Sequence, residues 1–408
     1  MSGSSEQRDP SGAQPLRVLA VDKVAVLRNN RERYHTLVER ADVELTLLAP
    51  TRWLENCVME PYQPESGEPY TTVLGMPSWP GRELRSIYYT GIVRALRRSR
   101  PEVILLMEES FSLFALQVVL LKMLFAPRAK VIFYSFNITS YKRFPYRPSW
   151  FYRLLGDTVM AMCHAGLCVS RRAEMVLRES SFKGRIQVLF FGINDRLFTA
   201  TPRDEARERL GLPRDAKLFL YAGRLLEQKG IQDLVDAFAR LHTERPQSAT
   251  HLLIVGDGEY GEALQARVAA LGPGPSIEFR HAVPIEQMAT YMSAADAFVL
   301  PSRADWNEQF GRVNAEAMLV GTTIIGSTSG EIPVVIEDGG YIFTAGDVED
   351  LKRTMERILD DPADVAARRV RGREIAMKKY SLLGFVDGLI ELFSDLTGRT
   401  VRRAEAGG

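Results

Sequence analysis

Short apolar runs alternate with amphipathic helical patterns along nearly the whole chain, and this alternation constrains the fold more than any other feature. In the first half, the apolar runs lie at 16–21, 43–49, 103–107, 130–134, 166–169 and 186–190. Helical patterns separate them, at 31–40, 84–98, 112–125, 150–162 and 171–180. Strands that are apolar along their whole length are buried on both faces, which requires helices on either side of a parallel sheet. The first half therefore predicts a doubly wound α/β domain.

The second half shows the same alternation without visible sequence repetition. Its apolar runs lie at 217–222, 251–255, 276–280, 297–300, 322–325 and 341–343. Its helical patterns lie at 231–241, 260–270, 285–294, 314–320 and 348–359. The chain as a whole is thus expected to form two Rossmann-like doubly wound domains.

Domain boundaries follow from the segments between these patterns. We expect an N-terminal domain at 16–195 and a C-terminal domain at 196–379, joined by the charged, proline-containing stretch at 196–213. A helix at 380–398 is expected to pack back on the first domain. We expect a disordered tail at 1–15, a second tail at 399–408 and an irregular loop at 52–82.

Composition limits the classes of partner and compartment. A net charge of +1 implies no general attraction to nucleic acid. Three cysteines without metal-binding spacing indicate a reducing compartment and no disulfide framework. The polar segment 1–15 lacks the apolar core of a signal peptide, and the apolar run at 114–125 is too short to span a bilayer and is expected to be a buried helix. We therefore expect a cytoplasmic protein without a nucleic-acid partner.

The tip of the first strand in the second domain carries a glycine and two cations. Gly223 and Arg224 directly follow the strand, and Lys229 precedes the next helix. Ligands of open α/β sheets bind at the carboxyl ends of strands. Two cations at such a point can hold a diphosphate and stabilise charge on a leaving phosphate. The alternative is that both side chains are ordinary solvated surface charges.

The stretch 301–333 carries two glutamates around a predicted helix start. Glu308 and Glu316 flank a glycine turn, after which we expect a helix, a buried strand at 322–326 and a polar loop at 327–333. A carboxylate just before the helix can reach a sugar hydroxyl, and one inside it can reach a ribose. The alternative is that both glutamates are solvated helix charges.

The start of that helix is itself a candidate anion site. The backbone amides of Phe310, Gly311 and Arg312 would have no partner within the helix. Free amides and the positive end of the helix dipole together attract phosphate.

Polar residues also follow two strands of the first domain. Glu108 and Glu109 come after the strand at 103–107, and Asn137 comes after the strand at 130–134. These positions lie at strand carboxyl ends, where ligands bind. Two alternatives remain open: either glutamate caps the next helix, and Asn137 is a turn residue.

Basic and aromatic residues are interleaved in the loop at 141–153, and no acidic residue interrupts them. Its cations include Lys142, Arg143 and Arg147. Such a loop suits an anionic membrane surface or a lipid phosphate. The alternative is an aromatic loop packed on the edge of the domain, and no motif supports a nucleic-acid partner.

The C-terminal half resembles the retaining nucleotide-sugar glycosyltransferases of family 4, whose two facing Rossmann-like domains form the GT-B fold. The matching motifs are YAGRLLEQKG at 221–230, LLIVGDGE at 252–259, AADAFVLPS at 294–302, EQFGRVNAEAM at 308–318 and GSTSGEIPVVI at 326–336. They occur in the order and spacing of the family. The resemblance covers residues 180–362 well and the first 180 residues more loosely.

The resemblance implies a role for each matching residue. The implied donor site consists of Gly223, Arg224, Lys229, Val283, Glu308, Phe310, Gly311, Arg312 and Glu316. Arg224 and Lys229 would bind the donor diphosphate, and Glu308 would hold the sugar for transfer, so these three are the implied catalytic residues. Glu316 would bind the ribose, and the base would lie near Val283. The family uses no metal and no cofactor, and the nucleoside-diphosphate sugar is its donor substrate.

Two departures from the family concern the acceptor side. Many relatives carry a Gly-Gly pair in the loop after the first strand, where this chain has RNNR at 28–31. Many also carry a histidine where this chain has Asn137. Glu108, Glu109 and Asn137 therefore stand as the candidate acceptor-side residues, while the identity of the acceptor stays open.

The implied function is transfer of a hexose-type sugar, with retention, to a hydroxyl of a glycan or lipid-linked glycan of the cell envelope. Such an enzyme would work in the cytoplasm or at the inner face of the membrane. A nicotinamide oxidoreductase would need a glycine-rich fingerprint after a domain's first strand, and LAVDKVAVLRN lacks one. A non-catalytic nucleotide-sugar-binding protein and a GT-B epimerase or phosphorylase remain alternatives, because fold alone does not determine chemistry.

Overall fold

The computed structural model describes residues 14–55, 58–82, 84–88, 90–140, 146–190, 192–306 and 308–403. Within this range the chain forms two compact units. Unit 1 contains residues up to 168, residues 175–187 and residues from 386 onwards, and unit 2 contains residues 169–174 and 188–385. Most of the predicted tail at 1–15, and the end of the predicted tail at 399–408, lie outside the described residues.

The first part of the chain alternates between strands and helices. The strands are β1 (Leu16–Val21), β2 (Val43–Pro50), β3 (Arg52–Glu55), β4 (Val58–Pro61), β5 (Thr71–Gly75), β6 (Val103–Leu106), β7 (Lys130–Ser135), β8 (Ala165–Cys168) and β9 (Arg185–Val188). The helices are α1 (Arg28–Arg40), α2 (Ile92–Ser99), α3 (Leu113–Phe125), α4 (Ser149–Ala161) and α5 (Arg171–Arg178).

Seven of the strands in the described residues form one sheet, in the order β5-β2-β1-β6-β7-β8-β9. All neighbouring strands from β5 to β8 in this order pair in parallel. Val18 of β1 is aligned with Leu45 of β2 on one side and with Val103 of β6 on the other. Strands β6 and β8 are buried along their whole length, as the apolar runs predicted. The strand order reverses between β1 and β6, so the carboxyl ends of these two strands mark a ligand crevice.

The prediction of an irregular loop at 52–82 is wrong, because much of this segment forms β-strands. Strands β3 and β4 form an antiparallel hairpin, and β5 joins the edge of the main sheet. The segment is held by Arg31, which is buried and forms ion pairs with Glu65 and Glu68. These contacts join residues far apart in sequence, so the local pattern of prolines and glycines did not reveal them.

Two helix predictions in this part also need correction. The helix predicted at 84–98 begins only at Ile92, because Gly91 adopts a φ of 94°, which is not helical. Gly91 also packs closely on Gly75, since a Cβ on Gly91 would lie 2.8 Å from the Gly75 Cα. The segment at 114–125 is helical, but it is buried on one face only, and Leu120, Met123 and Leu124 are exposed.

The remainder of the chain continues the alternation. Its strands are β10 (Lys217–Ala222), β11 (Thr250–Val255), β12 (Ile277–Arg280), β13 (Ala297–Leu300), β14 (Thr323–Ser327) and β15 (Tyr341–Phe343). Its helices are α6 (Arg203–Leu210), α7 (Ile231–Glu244), α8 (Gly261–Ala270), α9 (Ile285–Ala294), α10 (Arg312–Val320), α11 (Ile332–Ile336), α12 (Val348–Asp360), α13 (Pro362–Lys379) and α14 (Leu382–Thr397).

The sheet of unit 2 has the order β12-β11-β10-β13-β14-β15 in the described residues. Its neighbouring strands pair in parallel, and Phe219 of β10 is aligned with Leu252 of β11 and Ala297 of β13. The order reverses between β10 and β13, which places a second ligand crevice at the carboxyl ends of these strands. The polar loop predicted at 327–333 is shorter than expected, because helix α11 begins at Ile332 with a proline in its first turn.

Helix α14 begins in unit 2, and from Val386 onwards its residues belong to unit 1. There Asp387 pairs with Arg40, and Arg399 beyond the helix pairs with Glu102 at 2.7 Å. None of the helices in the described ranges is long and apolar enough to cross a bilayer.

The linker-like stretch at 196–213 packs on unit 2 through helix α6. Arg207 of this helix is completely buried, and its guanidinium forms an ion pair with Asp296 at 2.7 Å. The same group donates to the backbone carbonyls of Ala294, Pro213, Arg214 and Ala216. The buried guanidinium is tolerated because these carbonyls and the Asp296 carboxylate accept its hydrogen bonds and Asp296 neutralises its charge.

Replacing Arg207 with alanine is expected to lower the free energy of unfolding by about 3–5 kcal/mol, because Asp296 and several buried carbonyls lose their donor. The matched control is Arg209→Ala on the same helix, since Arg209 is exposed and pairs only with Glu205 among the described residues. The control should cost about 0.5 kcal/mol or less. Chemical denaturation of both variants measures the difference, and equal midpoints would contradict a structural role for Arg207.

Candidate functional site

The two loops at the switch point of unit 2 touch each other closely. Gly230 follows a short 3-10 turn after β10 and adopts a φ of 69°. A Cβ on Gly230 would lie 2.1 Å from the carbonyl oxygen of Pro301, directly after β13. Only glycine fits this position, because both the backbone conformation and the close approach exclude a side chain. The contact brings Lys229 beside the loop that leads to Glu308.

The carboxylate of Glu308 is held by three donors. Its Oε2 accepts from Lys229 Nζ at 2.5 Å, from Ser302 Oγ at 3.0 Å and from Trp306 Nε1 at 3.1 Å. The ammonium of Lys229 also lies over the Trp306 ring, 5.0 Å from its centroid. All three bonds converge on Oε2, and Oε1 has no partner within the residues that the structure describes. The arrangement leaves one carboxylate oxygen for an incoming hydroxyl.

The backbone of Glu308 is held as firmly as its side chain. Its carbonyl accepts from the amide of Glu331 at 2.8 Å, and its amide donates to Ser329 Oγ at 3.3 Å. The bend between these partners is Gly330, with a φ of 54°, where a Cβ would lie 2.1 Å from the Glu308 carbonyl oxygen. The loop after β14 therefore determines where Glu308 stands.

The start of helix α10 lies directly after Glu308. Gly311 caps the helix with a φ of 62°, and the amides of Phe310, Gly311 and Arg312 have no acceptor in the described part of the chain. The ring of Phe310 stacks on Phe190 at 5.1 Å and meets Tyr380 edge-on at 5.5 Å. This packing orients the free amides, which together with the helix dipole suit a phosphate.

Glu316 lies one turn into α10 and is almost completely buried. Arg312 Nε donates to its Oε1 at 2.7 Å, and burial raises the pKa of the Glu316 carboxyl above its ordinary value, against the opposing effect of Arg312. Arg312 itself is exposed. Glu316 therefore lies one helix turn beyond the free amides, and Arg312 binds one of its two oxygens.

A second wall of the crevice is built from the loops after β10 and β11. Arg224 is exposed, and its carbonyl accepts from Tyr221 Oη at 2.8 Å. Leu225 donates to the carbonyl of Asp257 at 2.9 Å, which ties the two loops together. A Cβ on Gly256 would lie 1.9 Å from the Gly223 carbonyl oxygen, so the loops are in direct backbone contact. Val283, after β12, is half-buried against the core of unit 2.

The structure thus brings Lys229, Glu308 and the α10 start together within unit 2, and Arg224 lies earlier on the same loop as Lys229. Sequence reasoning missed Ser302, Trp306 and Ser329, which hold Glu308 in place. Ser302 and Ser329 sit in loops that follow strands, so their position at strand carboxyl ends was the available signal. No periodicity indicates which loop residues point at which carboxylate.

The candidate acceptor-side residues lie at the crevice of unit 1. Glu108 is buried and binds Lys23, whose Nζ lies 2.9 Å from Oε1 and 2.6 Å from Oε2. Lys23 also lies over the Trp53 ring at 4.9 Å. Lys23 follows β1, and sequence reasoning did not single it out. Neither glutamate caps α3, because Ser112 occupies the N-cap and accepts from the Ala115 amide.

Glu109 and Asn137 lie at the ends of adjacent strands of unit 1. Glu109 accepts from the Phe136 amide at 2.5 Å and from Ser135 Oγ at 3.2 Å. Asn137 Oδ1 accepts from the Thr139 amide at 3.0 Å, which is the geometry of a turn. Asn137 therefore makes the turn contact that was the alternative to an acceptor role, and its side chain is half-buried at the crevice edge.

Burial raises the pKa of the Glu109 carboxyl to about 8, against the opposing hydrogen bonds from Phe136 and Ser135. The folded protein then keeps this proton up to about pH 8, whereas the unfolded chain loses it near pH 4.5. The unfolded state binds fewer protons in this window, so the free energy of unfolding should fall as pH rises through it. Glu109→Gln, which cannot ionise, should reduce that fall, whereas identical pH–stability profiles would contradict the buried carboxyl. Denaturant unfolding between about pH 5 and 8 measures the effect.

The aromatic and basic loop is described only in part. Lys142 and Arg143 lie within 141–145, outside the described residues. Arg147 is exposed just before α4, and Trp150 is exposed in its first turn. The predicted membrane contact of this loop stays a prediction.

Unit 2 is similar in sequence to known proteins. Residues 202–376 match the family model described as Glycosyl transferases group 1. A D-inositol 3-phosphate glycosyltransferase of Streptomyces avermitilis is 36% identical over 200 residues, which is 47% of this chain and 42% of that protein. A namesake from Streptomyces scabiei is 33% identical over 229 residues, or 53% and 50% of the two chains. The chain spans about half the length of these relatives.

Solved structures match over nearly the whole chain. Sucrose-phosphate synthase from Thermosynechococcus elongatus has a TM-score of 0.64 at 19% identity, covering 95% of this chain and 100% of that one. At this identity the likeness shows the fold alone. Together with the two parallel sheets, it confirms the α/β GT-B fold class expected from the sequence.

Proposed function

Because residues 202–376 match the family model of the glycosyl transferases group 1, we propose that this protein transfers a hexose-type sugar from a nucleoside-diphosphate sugar to a hydroxyl acceptor. The observation that carries the proposal is the carboxylate of Glu308, held by Lys229, Ser302 and Trp306 next to the free amides of α10. A positioned carboxylate beside a phosphate site is what a nucleotide-sugar donor needs.

The donor diphosphate would lie between the loop after β10 and the start of α10. Arg224 and Lys229 supply two cations, and the amides of Phe310, Gly311 and Arg312 supply hydrogen-bond donors. The ribose would lie at Glu316 and the base near Val283, with Gly223 allowing the backbone to approach. The sugar would then stand over Glu308, whose Oε1 accepts from a sugar hydroxyl.

We infer that transfer retains the configuration at the anomeric carbon. The bond from that carbon to the phosphate oxygen breaks, and a bond to the acceptor oxygen forms on the same face. The departing phosphate oxygen takes the acceptor's hydroxyl proton, so no separate protein base is required. Arg224, Lys229 and the α10 amides stabilise the charge that develops on the leaving diphosphate. This set of positive groups is the reason to propose transfer without a metal ion.

The acceptor would be a glycan or lipid-linked glycan of the cell envelope, bound at the crevice of unit 1 by Glu108, Glu109 and Asn137. The relatives are named for an inositol 3-phosphate. At this crevice the ammonium of Lys23 is already bound by both oxygens of Glu108. We therefore favour a neutral hydroxyl over a phosphate as the acceptor group bound at that point. The protein would act in the cytoplasm or at the inner face of the membrane.

The first test is thermal unfolding with UDP, GDP, ADP and their sugar conjugates. A ligand that binds only the native state raises its melting temperature, so one base should give a clear shift. UDP is the first candidate, because HepE from Anabaena was solved in complex with UDP. That structure has a TM-score of 0.64 at 16% identity, covering 93% of this chain and 100% of that one. No shift with any nucleotide on folded protein would contradict the donor site.

Arg224→Ala and Lys229→Ala should each weaken binding of that nucleotide by roughly 10–100-fold, the loss expected for one charge-assisted contact. The matched control is Arg353→Ala on α12, whose exposed side chain pairs with Asp350 far from the crevice in sequence. Titration calorimetry measures all three. Wild-type affinity in both site variants would remove the proposed diphosphate contacts.

Product analysis separates the remaining alternatives. A transferase forms a new glycoside only when acceptor is present. A non-catalytic nucleotide-sugar-binding protein would give the thermal shift without turnover. An epimerase would change the sugar without an acceptor, and a phosphorylase would need inorganic phosphate.

A further inference from the structure

The outer face of helix α3 is apolar and exposed. Leu120, Met123 and Leu124 are exposed by 47%, 55% and 74%. The two polar side chains of the helix are engaged elsewhere, because Gln117 bonds to the backbone of Tyr88 and Lys122 is buried and donates to the Pro127 carbonyl. The exposed face therefore offers no polar group to water.

Helix α4 extends this apolar surface. Trp150, Phe151 and Leu154 are exposed by 67%, 36% and 59%. The two helices pack together where Tyr152 and Leu155 of α4 meet Leu113 and Leu116 of α3. Positions 116, 120 and 124 follow at four-residue spacing on α3, so they continue along the helix from this contact. We call the surface formed by Leu120, Met123, Leu124, Trp150, Phe151 and Leu154 the α3–α4 face.

Packing within unit 1 does not account for so many exposed large apolar side chains. Single exposed apolar residues are ordinary on protein surfaces, whereas six large ones on two helices that pack together indicate a surface that binds a partner. A tryptophan beside leucines is the side-chain set of helices that lie in a membrane interface.

Positive charge flanks the α3–α4 face. Helix α2 packs against α3 and exposes Arg94, Arg97 and Arg98, and neither α2 nor α3 contains an acidic residue. The guanidinium of Arg97 lies 4.8 Å from the centroid of the Phe125 ring, which places it at the end of α3. On α4 the acidic residue is Asp157, which accepts from Ser181 Oγ at 2.6 Å.

A basic cavity of about 600 Å³ lies beyond the end of α3. Phe125 forms part of its wall, and Arg100, Arg128 and Lys130 also line it. Its acidic residue, Glu102, is already bound by Arg17 and Arg399. The cavity is therefore positive overall and is large enough for a phosphate headgroup next to the exposed leucines.

We propose that the α3–α4 face docks on an anionic lipid bilayer. The six apolar side chains would enter the interfacial region, and the arginines of α2 with the basic cavity would meet lipid phosphates. The arrangement of charge around the apolar surface favours this occupant over a protein partner. The surface is separate from the donor crevice and does not depend on the proposed reaction.

Co-flotation with vesicles tests the proposal on the full chain. The probes are phosphatidylcholine vesicles with and without about 30% phosphatidylglycerol, at low salt and at about 0.5 M salt. Wild-type protein should float with the anionic vesicles, less at high salt and little with phosphatidylcholine alone. Absence of flotation with anionic vesicles would overturn the proposal.

Two variants separate the apolar and charged parts. L120Q/L124Q should lower the fraction bound roughly tenfold or more, since two apolar side chains no longer enter the interface. R97Q/R98Q should bind less strongly and lose most of the salt dependence. The control is V370Q on α13, because Val370 is exposed by 61% outside this face. It should float like wild type, and equal flotation of L120Q/L124Q would overturn the proposal.

A second copy of the chain is the competing occupant. Light scattering without lipid should show the same mass for wild type and L120Q/L124Q. A wild-type dimer that becomes a monomer in this variant would overturn the lipid proposal in favour of self-association. Unchanged melting temperatures confirm that all variants are folded, which is expected because the substituted side chains are exposed.

Discussion

Replacing Glu308 with glutamine is expected to lower the transfer rate by roughly 10²–10³-fold while leaving the protein folded. Glutamine keeps the size of the side chain, and Ser302 Oγ and Trp306 Nε1 can still donate to its oxygen. The ammonium of Lys229 loses its counter-charge, and the sugar loses a charged acceptor at the crevice. The loss should fall mainly on kcat, because the carboxylate is proposed to act on the sugar rather than on the nucleotide.

The measurement is steady-state transfer with the nucleotide sugar that the thermal-shift test selects. Glu227→Gln is the matched control, since Glu227 lies on the same loop as Lys229 but its side chain is exposed. The control should keep wild-type kinetics. Turnover of Glu308→Gln at the level of this control would remove Glu308 from the proposed chemistry.

Replacing Gly330 with alanine is expected to lower the free energy of unfolding by about 3 kcal/mol or more and to abolish transfer. The Cβ would lie 2.1 Å from the Glu308 carbonyl oxygen and 2.6 Å from its amide nitrogen, so backbone must move. The residue displaced is Glu308 itself. Stability and activity should therefore fall together, which distinguishes this change from Glu308→Gln.

Gly346→Ala isolates the backbone strain from the collision. Gly346 has a φ of 82°, but a Cβ there would meet no atom within 4 Å. This control should cost about 1–2 kcal/mol, the penalty of a left-handed conformation alone, and should keep wild-type turnover when folded. Chemical denaturation of both variants provides the comparison. If Gly330→Ala is no less stable than Gly346→Ala, the loop after β14 does not determine the position of Glu308.

The fold class could be predicted because it depends on local periodicity. Strands such as β6 and β10 are apolar along their length, and only a sheet covered on both faces buries them. The donor-site candidates were visible for a related reason. Gly223, Arg224 and Gly311 stand at strand tips or helix starts, where chain geometry alone leaves backbone groups and side chains directed at a ligand.

Contacts between distant segments could not be predicted in this way. The hairpin of β3 and β4 was missed because the buried guanidinium of Arg31 organises that region through Glu65 and Glu68. Helix α3 was expected to be buried because its sequence is a long apolar run that is too short to span a bilayer. The structure covers only one of its faces, which is what makes the α3–α4 face a candidate docking surface.

The sequence by itself determined the two doubly wound domains, the similarity of the second one to the glycosyl transferases group 1, and the residues Arg224, Lys229 and Glu308 as donor-site candidates. The tertiary structure decided how Glu308 is held. Lys229, which lies 79 residues earlier in the chain, binds Oε2 of Glu308, and Ser302 and Trp306 bind the same oxygen. Periodicity specifies which faces of strands and helices are buried, whereas the conformation of loops at the sheet edge depends on close backbone contacts. The contacts of Gly230 with Pro301 and of Gly330 with Glu308 exist only in the folded chain.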